Sequence, residues 1–376
     1  MKSIYLKKLI TATCLSTIFS VAALDQAKAT LPQVFWTQAW TNPASMSTVE
    51  KFSASIGGRY LGGTLKFKGT NGGVTGTSKS DIKILAPNGQ IMYRIHPSWV
   101  IGLDISTIGA AYENFKSGNL AGTKSTINIV DYSPKISYEI TDKLALGIGI
   151  DLAQTYNYNI NFPTPAGEMR NKAKGFGVGW NTGFLYKIQP TSLFYGSYHS
   201  KITHSAKNKS SLPGAPTTHG RMTNLLPNTW QLEFVQIFSK NWLVGLKGRY
   251  EQWDIFKNLV ITDSAFGNDI VVPIRYKNTW DATIYTRYQF ACQWAGLIAG
   301  AFYSNPYKHK VNRGVGLPID SEWAYRAAIQ YMPTKQTVIE VAYVGGVSNP
   351  KFNNPTTIGK MKIVLNAVDV KLTYKF

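Results

Sequence analysis

The sequence predicts an all-β chain closed as a 14-stranded antiparallel transmembrane β-barrel, and three observations predict it. Apolar residues alternate with small or polar ones in fourteen successive segments. Every second connection between those segments is a tight turn, and the last segment keeps its alternation up to the final residue.

Lys2, Lys7 and Lys8 precede an apolar run from Leu9 to Leu24, followed by Ala27-Lys28-Ala29. A basic start, an apolar middle and a small-x-small end predict a signal peptide over 1–29, cut after Ala29. Aromatic residues make up 13% of the 376, with 21 Tyr, yet past the leader no apolar stretch is long enough to cross a bilayer as a helix. In lipid every backbone amide must be bonded, so a secreted chain of this composition can cross only as a closed sheet.

Periodicity supplies the strands. Leu144, Leu146, Ile148, Ile150 and Leu152 alternate with Ala145, Gly147, Gly149, Asp151 and Ala153, and Phe176, Val178 and Trp180 alternate with Gly175, Gly177 and Gly179. One face is greasy and the other small, as a strand between lipid and a lumen requires. Strands are expected near 52–67, 82–95, 99–115, 125–140, 143–160, 174–188, 191–204, 229–239, 241–255, 276–290, 294–303, 321–332, 335–347 and 363–376. Tight turns at His96-Pro97-Ser98, Thr141-Asp142, Gln189-Pro190, Lys240, Ala291-Cys292-Gln293 and Pro333-Thr334 oppose long connections such as 205–228 and 256–275. Short periplasmic turns opposite long outer loops distinguish an outer-membrane barrel from a soluble sandwich. Trp99, Trp242 and Trp294 follow short turns and are expected to form the lower aromatic girdle. Val368, Val370, Leu372, Tyr374 and Phe376 end the chain in a register that looks like the signal read by bacterial barrel-assembly machinery.

The third strand changes phase. Its apolar residues run Trp99, Ile101, Leu103, Ile105, then Ile108, Ala110, Tyr112. One extra residue near Ser106, Thr107 or Ile108, beside Gly109, predicts a β-bulge, which breaks pairing and bends the strand.

Facing inward, the small residues of the fifth and sixth strands, Gly149 and Gly179 among them, are expected to leave room for a ligand. Glu233 is expected beside Lys247 and Glu340 beside Arg326. Arg59 and Arg287 have no local partner, which makes them candidates to meet a carboxylate head group. The net charge is +20, or +17 without the leader's four Lys and one Asp, and much of it lies in loops expected outside the cell, which suits anionic lipopolysaccharide better than nucleic acid. The five histidines stand near no recognisable nucleophile motif, so neither catalysis nor a metal or cofactor is expected.

Asn42-Pro43-Ala44-Ser45-Met46, just before the first strand, resembles the Asn-Pro-Ala motif of the FadL and toluene-transporter family of outer-membrane proteins. The stretches 175–204 and 226–256 and the closing 370–376 are similar to that family in order and spacing. The resemblance covers nearly the whole mature chain. It implies a monomer with a short N-terminal hatch over 30–51, a barrel over 52–376, and uptake of hydrophobic compounds, long-chain fatty acids foremost. It further implies a ligand held in the lumen above Asn42, Pro43 and Ala44, with release through a wall opening at Thr107, Ile108 and Gly109. Fatty acid, aromatic hydrocarbon and other apolar ligands all fit the residues. A general diffusion porin and a surface adhesin or receptor barrel remain the alternatives.

Overall fold

The computed structural model describes residues 40–273, 276–309, 313–314, 316 and 318–376; the expected leader and the first ten residues of the expected hatch lie outside them. Six long strands and a shorter one come first: β1 (Phe52–Asn71), β2 (Val74–His96), β3 (Trp99–Asn114), β4 (Lys124–Glu139), β5 (Leu144–Thr164), β6 (Gly167–Gln189) and β7 (Ser192–His199). Next are β8 (Ile202–Ser211), β9 (Thr218–Leu226), β10 (Thr229–Ser239), β11 (Trp242–Glu251), β12 (Asn258–Ile261) and β13 (Ile270–Pro273). The chain ends with β14 (Thr279–Ala291), β15 (Trp294–Tyr303), β16 (Glu322–Tyr331), β17 (Thr337–Ser348), β18 (Lys351–Asn353) and β19 (Thr357–Lys375).

Fourteen of these form the wall: β1–β7, β10, β11, β14–β17 and β19. Every neighbouring pair is antiparallel, and the wall closes where β1 meets β19 from Ser53–Lys375 to Asn71–Thr357. The bonds between Phe52 and Phe376, at 3.1 and 2.9 Å, fasten the lower end of that seam. Closure pairs the first strand with the last, so neither end of the sheet is left open to lipid.

The outer face is apolar because alternate residues point into lipid: Leu146, Ile148 and Ile150 are exposed while Ala145 and Asp151 between and beside them are buried. Trp99, Trp242 and Trp294 each lie against an aromatic ring of a paired strand or of the adjoining turn, Tyr138, Phe238 and Tyr331, with centroids 4.4–4.7 Å apart. Aromatic rings suit the headgroup level because one part of the ring system is apolar and its rim polar.

Two expectations need correction. The first and third hairpins run further outward than their alternation suggested, so that β1 turns into β2 at Gly72-Gly73, both at positive φ, and β5 reaches Thr164 before β6 starts at Gly167. The connections 205–228 and 256–275 also carry strands: β8 pairs with β6 and β9, and β12 pairs with β9 and β13. The wall therefore continues above the apolar band as a second tier of sheet.

Candidate functional site

Pro43–Thr48 forms a 3₁₀ turn against the inner faces of β3–β6, with Pro43, Ala44, Ser45 and Met46 buried. Asn42 starts it. Its side-chain oxygen accepts from Ala44 N at 2.9 Å, and its amide donates to the carbonyls of Phe184 at 2.9 Å and Gly196 at 3.0 Å. Pro43 fits the first helical position, where a missing N–H costs nothing. The wall is shaped for this turn by glycine. A Cβ on Gly183 would stand 2.1 Å from Asn42 Oδ1, one on Gly147 2.5 Å from Ala44 N, and one on Gly102 2.6 Å from Met46 Sδ. At the other end Arg94 donates to Val49 O at 2.8 Å and Ser47 O at 2.5 Å while pairing with Glu139 at 2.6 Å. Trp40 stacks on His199, whose Nδ1 lies 3.0 Å from Asp151.

The third strand carries the expected bulge: β3 and β4 pair Thr107 with Val130 and then Gly109 with Ile129, which leaves Ile108 as the extra residue. Beside it the wall changes character. Pairing of β2 with β3 runs from His96–Trp99 to Asn88–Ser106 and stops, although β2 extends back to Val74 and β3 on to Asn114. Pro87 is the next residue of β2 and has no N–H to give. Side chains take over: Thr107 Oγ1 donates to Pro87 O at 3.1 Å, Ser80 Oγ accepts from Asn114 N at 2.7 Å, and Ser78 Oγ accepts from Leu120 N at 2.9 Å.

A cavity of about 160 Å³ lies between the 3₁₀ turn and this break, lined among others by Trp40, Ser45, Arg59, Asn88, Thr107 and Lys371. Below it, Ala44, Leu185, Tyr195, Val235, Tyr285 and Leu297 fill the lumen; above it, Phe67, Phe115, Trp253, Tyr276 and Phe352 belong to an apolar cluster built in part from the outer connections.

Arg59 and Arg287 are not unpartnered as the sequence suggested. Arg59 donates to Asp369 through Nε at 2.5 Å and Nη2 at 2.7 Å. Asp369 also holds Arg326, Arg326 pairs with Glu340 as expected, Glu340 accepts from Gln330 at 2.7 Å, and Gln330 accepts from Arg287 Nε at 2.8 Å. Both arginines thus belong to one buried ladder running over the inner wall from β1 to β14. Buried charges are kept only when paired and hydrogen-bonded, and this ladder does both. Glu233 stands opposite Lys247 in register and accepts from the Tyr285 hydroxyl at 2.5 Å.

The space expected over the small faces of β5 and β6 is occupied. Ile202 at the foot of β8 packs over Gly177 and Gly179, where added Cβ atoms would meet it at 2.5 and 2.8 Å, and Lys135 and Asn181 crowd Gly149 at 2.6 and 2.8 Å. These glycines are small because Ile202 or the side chains of paired strands pack against them, not because the lumen is wide there. Asn42, Arg59 and Thr107 surround one cavity or its floor, whereas Gly149, Gly179 and Arg287 lie away from it. Lys371 and Arg94 were not singled out. Lys371 makes no ion pair among the described residues. Its neighbour in register, Glu340, is already taken by Arg326, which only the fold reveals.

Residues 28–357 match the model of the outer membrane protein transport family that groups OMPP1, FadL and TodX. The long-chain fatty acid transport protein of Salmonella typhi is 21% identical over 353 residues, covering 82% of this chain and 81% of that one. The protein of the same name from Escherichia coli K12 is 23% identical over 321 residues, covering 79% and 68%. Among solved structures, a FadL homologue of Pseudomonas aeruginosa superposes with a TM-score of 0.80 at 17% identity over 94% of this chain and 96% of the other. The toluene transporter TodX of P. putida gives 0.72 at 15% identity over 94% and 97%. The barrel is a multi-pass protein of the bacterial outer membrane, and the chain belongs to the OMPP1/FadL/TodX family of outer-membrane channels that transport hydrophobic compounds.

Proposed function

We propose that this channel takes up long-chain fatty acids and releases them sideways into the membrane between β2 and β3. The observation that carries this reading is the end of β2–β3 pairing at Asn88–Ser106, beside the extra residue Ile108. A chain of many methylenes gains about 0.8 kcal/mol for each one kept out of water, so it favours the hydrocarbon layer over the periplasm. An intact ladder of backbone bonds would bar that route. The side-chain bonds of Thr107, Ser78, Ser80 and Asn119 that span the break can be exchanged at lower cost than a sheet. In the same reading residues 30–51 act as a hatch that closes the lumen below the cavity, Asn42, Pro43 and Ala44 being its fixed point, and 1–29 is removed as a signal peptide. The barrel acts as a monomer, and the barrel-assembly machinery and the outer-leaflet glycolipid are its partners.

Lys371 supports a carboxylate ligand, since it lines the cavity with no ion-pair partner among the described residues. A second reading has one observation in its favour. An engineered cavity of about 150 Å³ holds benzene, and the 160 Å³ here is of that size rather than that of a whole long chain, which suits a single aromatic ring. Uptake of labelled oleate and labelled toluene by cells carrying the barrel separates the two. The Lys371→Gln variant is expected to need about tenfold more oleate for the same rate, the loss of one charge-assisted bond, with toluene unaffected. Deleting Ile108 restores continuous alternation to β3 and is expected to abolish uptake while the barrel still inserts; normal uptake by that variant rules out the sideways exit.

A further inference from the structure

We infer that the outer wall of β18, β19, β1 and β2 carries a docking site for a phosphorylated glycolipid of the outer leaflet. Lys66 on β1 stands in register with Lys79 on β2 and with Lys362 on β19; one step further out, Lys68 stands opposite Lys360, which stands opposite Lys351 on β18. All six side chains are exposed. They form two rows of three across neighbouring strands, spaced by about 4.8 Å within a row. Like charges directly opposite each other destabilise a sheet, and among the described residues only Lys79 of the six has an ion-pair partner, Asp81 at 3.2 Å. Four strands that hold six lysines in register, five of them without an acid among the described residues, are arranged for something that carries several negative charges.

Height identifies the occupant. On β19 the outward residues run Tyr374, Leu372, Val370, Val368, Asn366 and Val364 before Lys362. Ten residues of tilted strand rise about 25 Å, the height of the apolar band in such barrels. Lys362 therefore stands just above the outer limit of the hydrocarbon, at the level of lipid phosphates. Elsewhere on this rim the headgroup level is held by rings: Trp180, Tyr198, Trp230 and Tyr250 follow one another at 5.0–5.7 Å, and Trp280, Phe302 and Trp323 at 4.9–5.3 Å. Register neighbours Trp323, Val347, Val364 and Thr64 lead from that girdle to the lysine side, where the next outward residues are Lys362 and Lys66. The rim thus changes from aromatic to cationic beyond β17. A glycolipid with more than one phosphate meets two rows of ammonium groups at once, whereas a singly charged phospholipid meets one or two.

The test uses the full barrel purified in detergent. Wild type, the triple variant Lys66→Gln/Lys360→Gln/Lys362→Gln and the control Lys257→Gln/Lys277→Gln, whose exposed lysines lie in an outer connection outside any strand register, are compared for lipopolysaccharide retained through purification and for melting temperature with and without added lipopolysaccharide. Wild type and control are expected to retain glycolipid and to melt higher when it is added. In the triple variant affinity falls roughly fivefold for each lysine removed, and the lipid-free melting temperature stays level or rises because the repulsion is relieved. Equal retention by the triple variant, an equal loss in the control, or equal stabilisation of wild type by phosphatidylglycerol each overturns the proposal.

Discussion

Arg59 and Asp369 face each other across the seam that closes the barrel, 310 residues apart in the chain and joined by two hydrogen bonds of 2.5 and 2.7 Å. Removing one partner of a buried pair leaves the other charge uncompensated, at a cost of about 3–5 kcal/mol. Arg59→Met is therefore expected to lower the urea midpoint of the folded barrel, read by its gel mobility. The double variant Arg59→Met/Asp369→Leu should recover part of that loss, because Arg326 still has Glu340. A double variant weaker than the single one would show that Asp369 acts mainly through Arg326.

The glycine seat of the 3₁₀ turn gives a second expectation. Gly183→Ala places a methyl 2.1 Å from Asn42 Oδ1, and overpacking of this kind costs about 1–3 kcal/mol. The turn should be displaced while the wall persists, giving higher single-channel conductance in planar bilayers. Gly300→Ala, where nothing lies within 4 Å, is the matched substitution that should leave conductance unchanged.

Arg94 ties the end of the same turn to the periplasmic rim. Its charge-assisted bonds to Ser47 O and Val49 O are together worth about 3 kcal/mol. Arg94→Ala is expected to expose the segment before β1 to added protease in permeabilised cells, with the strands still protected. Protection equal to wild type would mean that Asn42 alone holds the segment.

Gly179→Ala should strain the contact with Ile202, 2.8 Å from the added carbon, and loosen the β8–β9 hairpin where it crosses β6. Ile202→Ala in the same chain removes the clash. Faster hydrogen exchange of β8 amides in the single variant, reversed in the double, is the expected pattern.

Cysteines placed singly at Ala215 in a Cys292→Ser background should react with a membrane-impermeant reagent on intact cells, and those at Gln189 or Thr334 should not. Surface labelling at Thr334 would invert the orientation.

All fourteen wall strands were legible because each has one face in lipid, so a period of two is written into every one of them. The bulge was legible for the same reason: Ile108 breaks a parity that Trp99, Ile101, Leu103 and Ile105 had set. Strands β8 and β9 escaped because they stand above the lipid. The buried face of β8 carries Ile202, His204, Ala206, Asn208 and Ser210, and no apolar period survives in that mixture. The site was read less well. Pairs inside one hairpin, such as Arg326 with Glu340, follow from turn position, but the partner of Arg59 comes from the opposite end of the chain and that of Arg287 from two strands away. Small inward residues have two meanings, an open lumen or a close neighbour, and the row Gly102, Gly147, Gly177, Gly179 and Gly183 has the second.

The seam has a consequence for biogenesis. β1 emerges first from the translocation channel and its final neighbour, β19, emerges last, so its outer row of amides and carbonyls stays unsatisfied throughout transit. An unpaired edge of this length is a template for aggregation. Contacts this distant in sequence also form slowly, because loop closure must precede any gain from them. The nascent chain therefore depends on holdase chaperones until its last residues arrive, and loss of such chaperones should deplete this protein before barrels whose early strands find partners sooner.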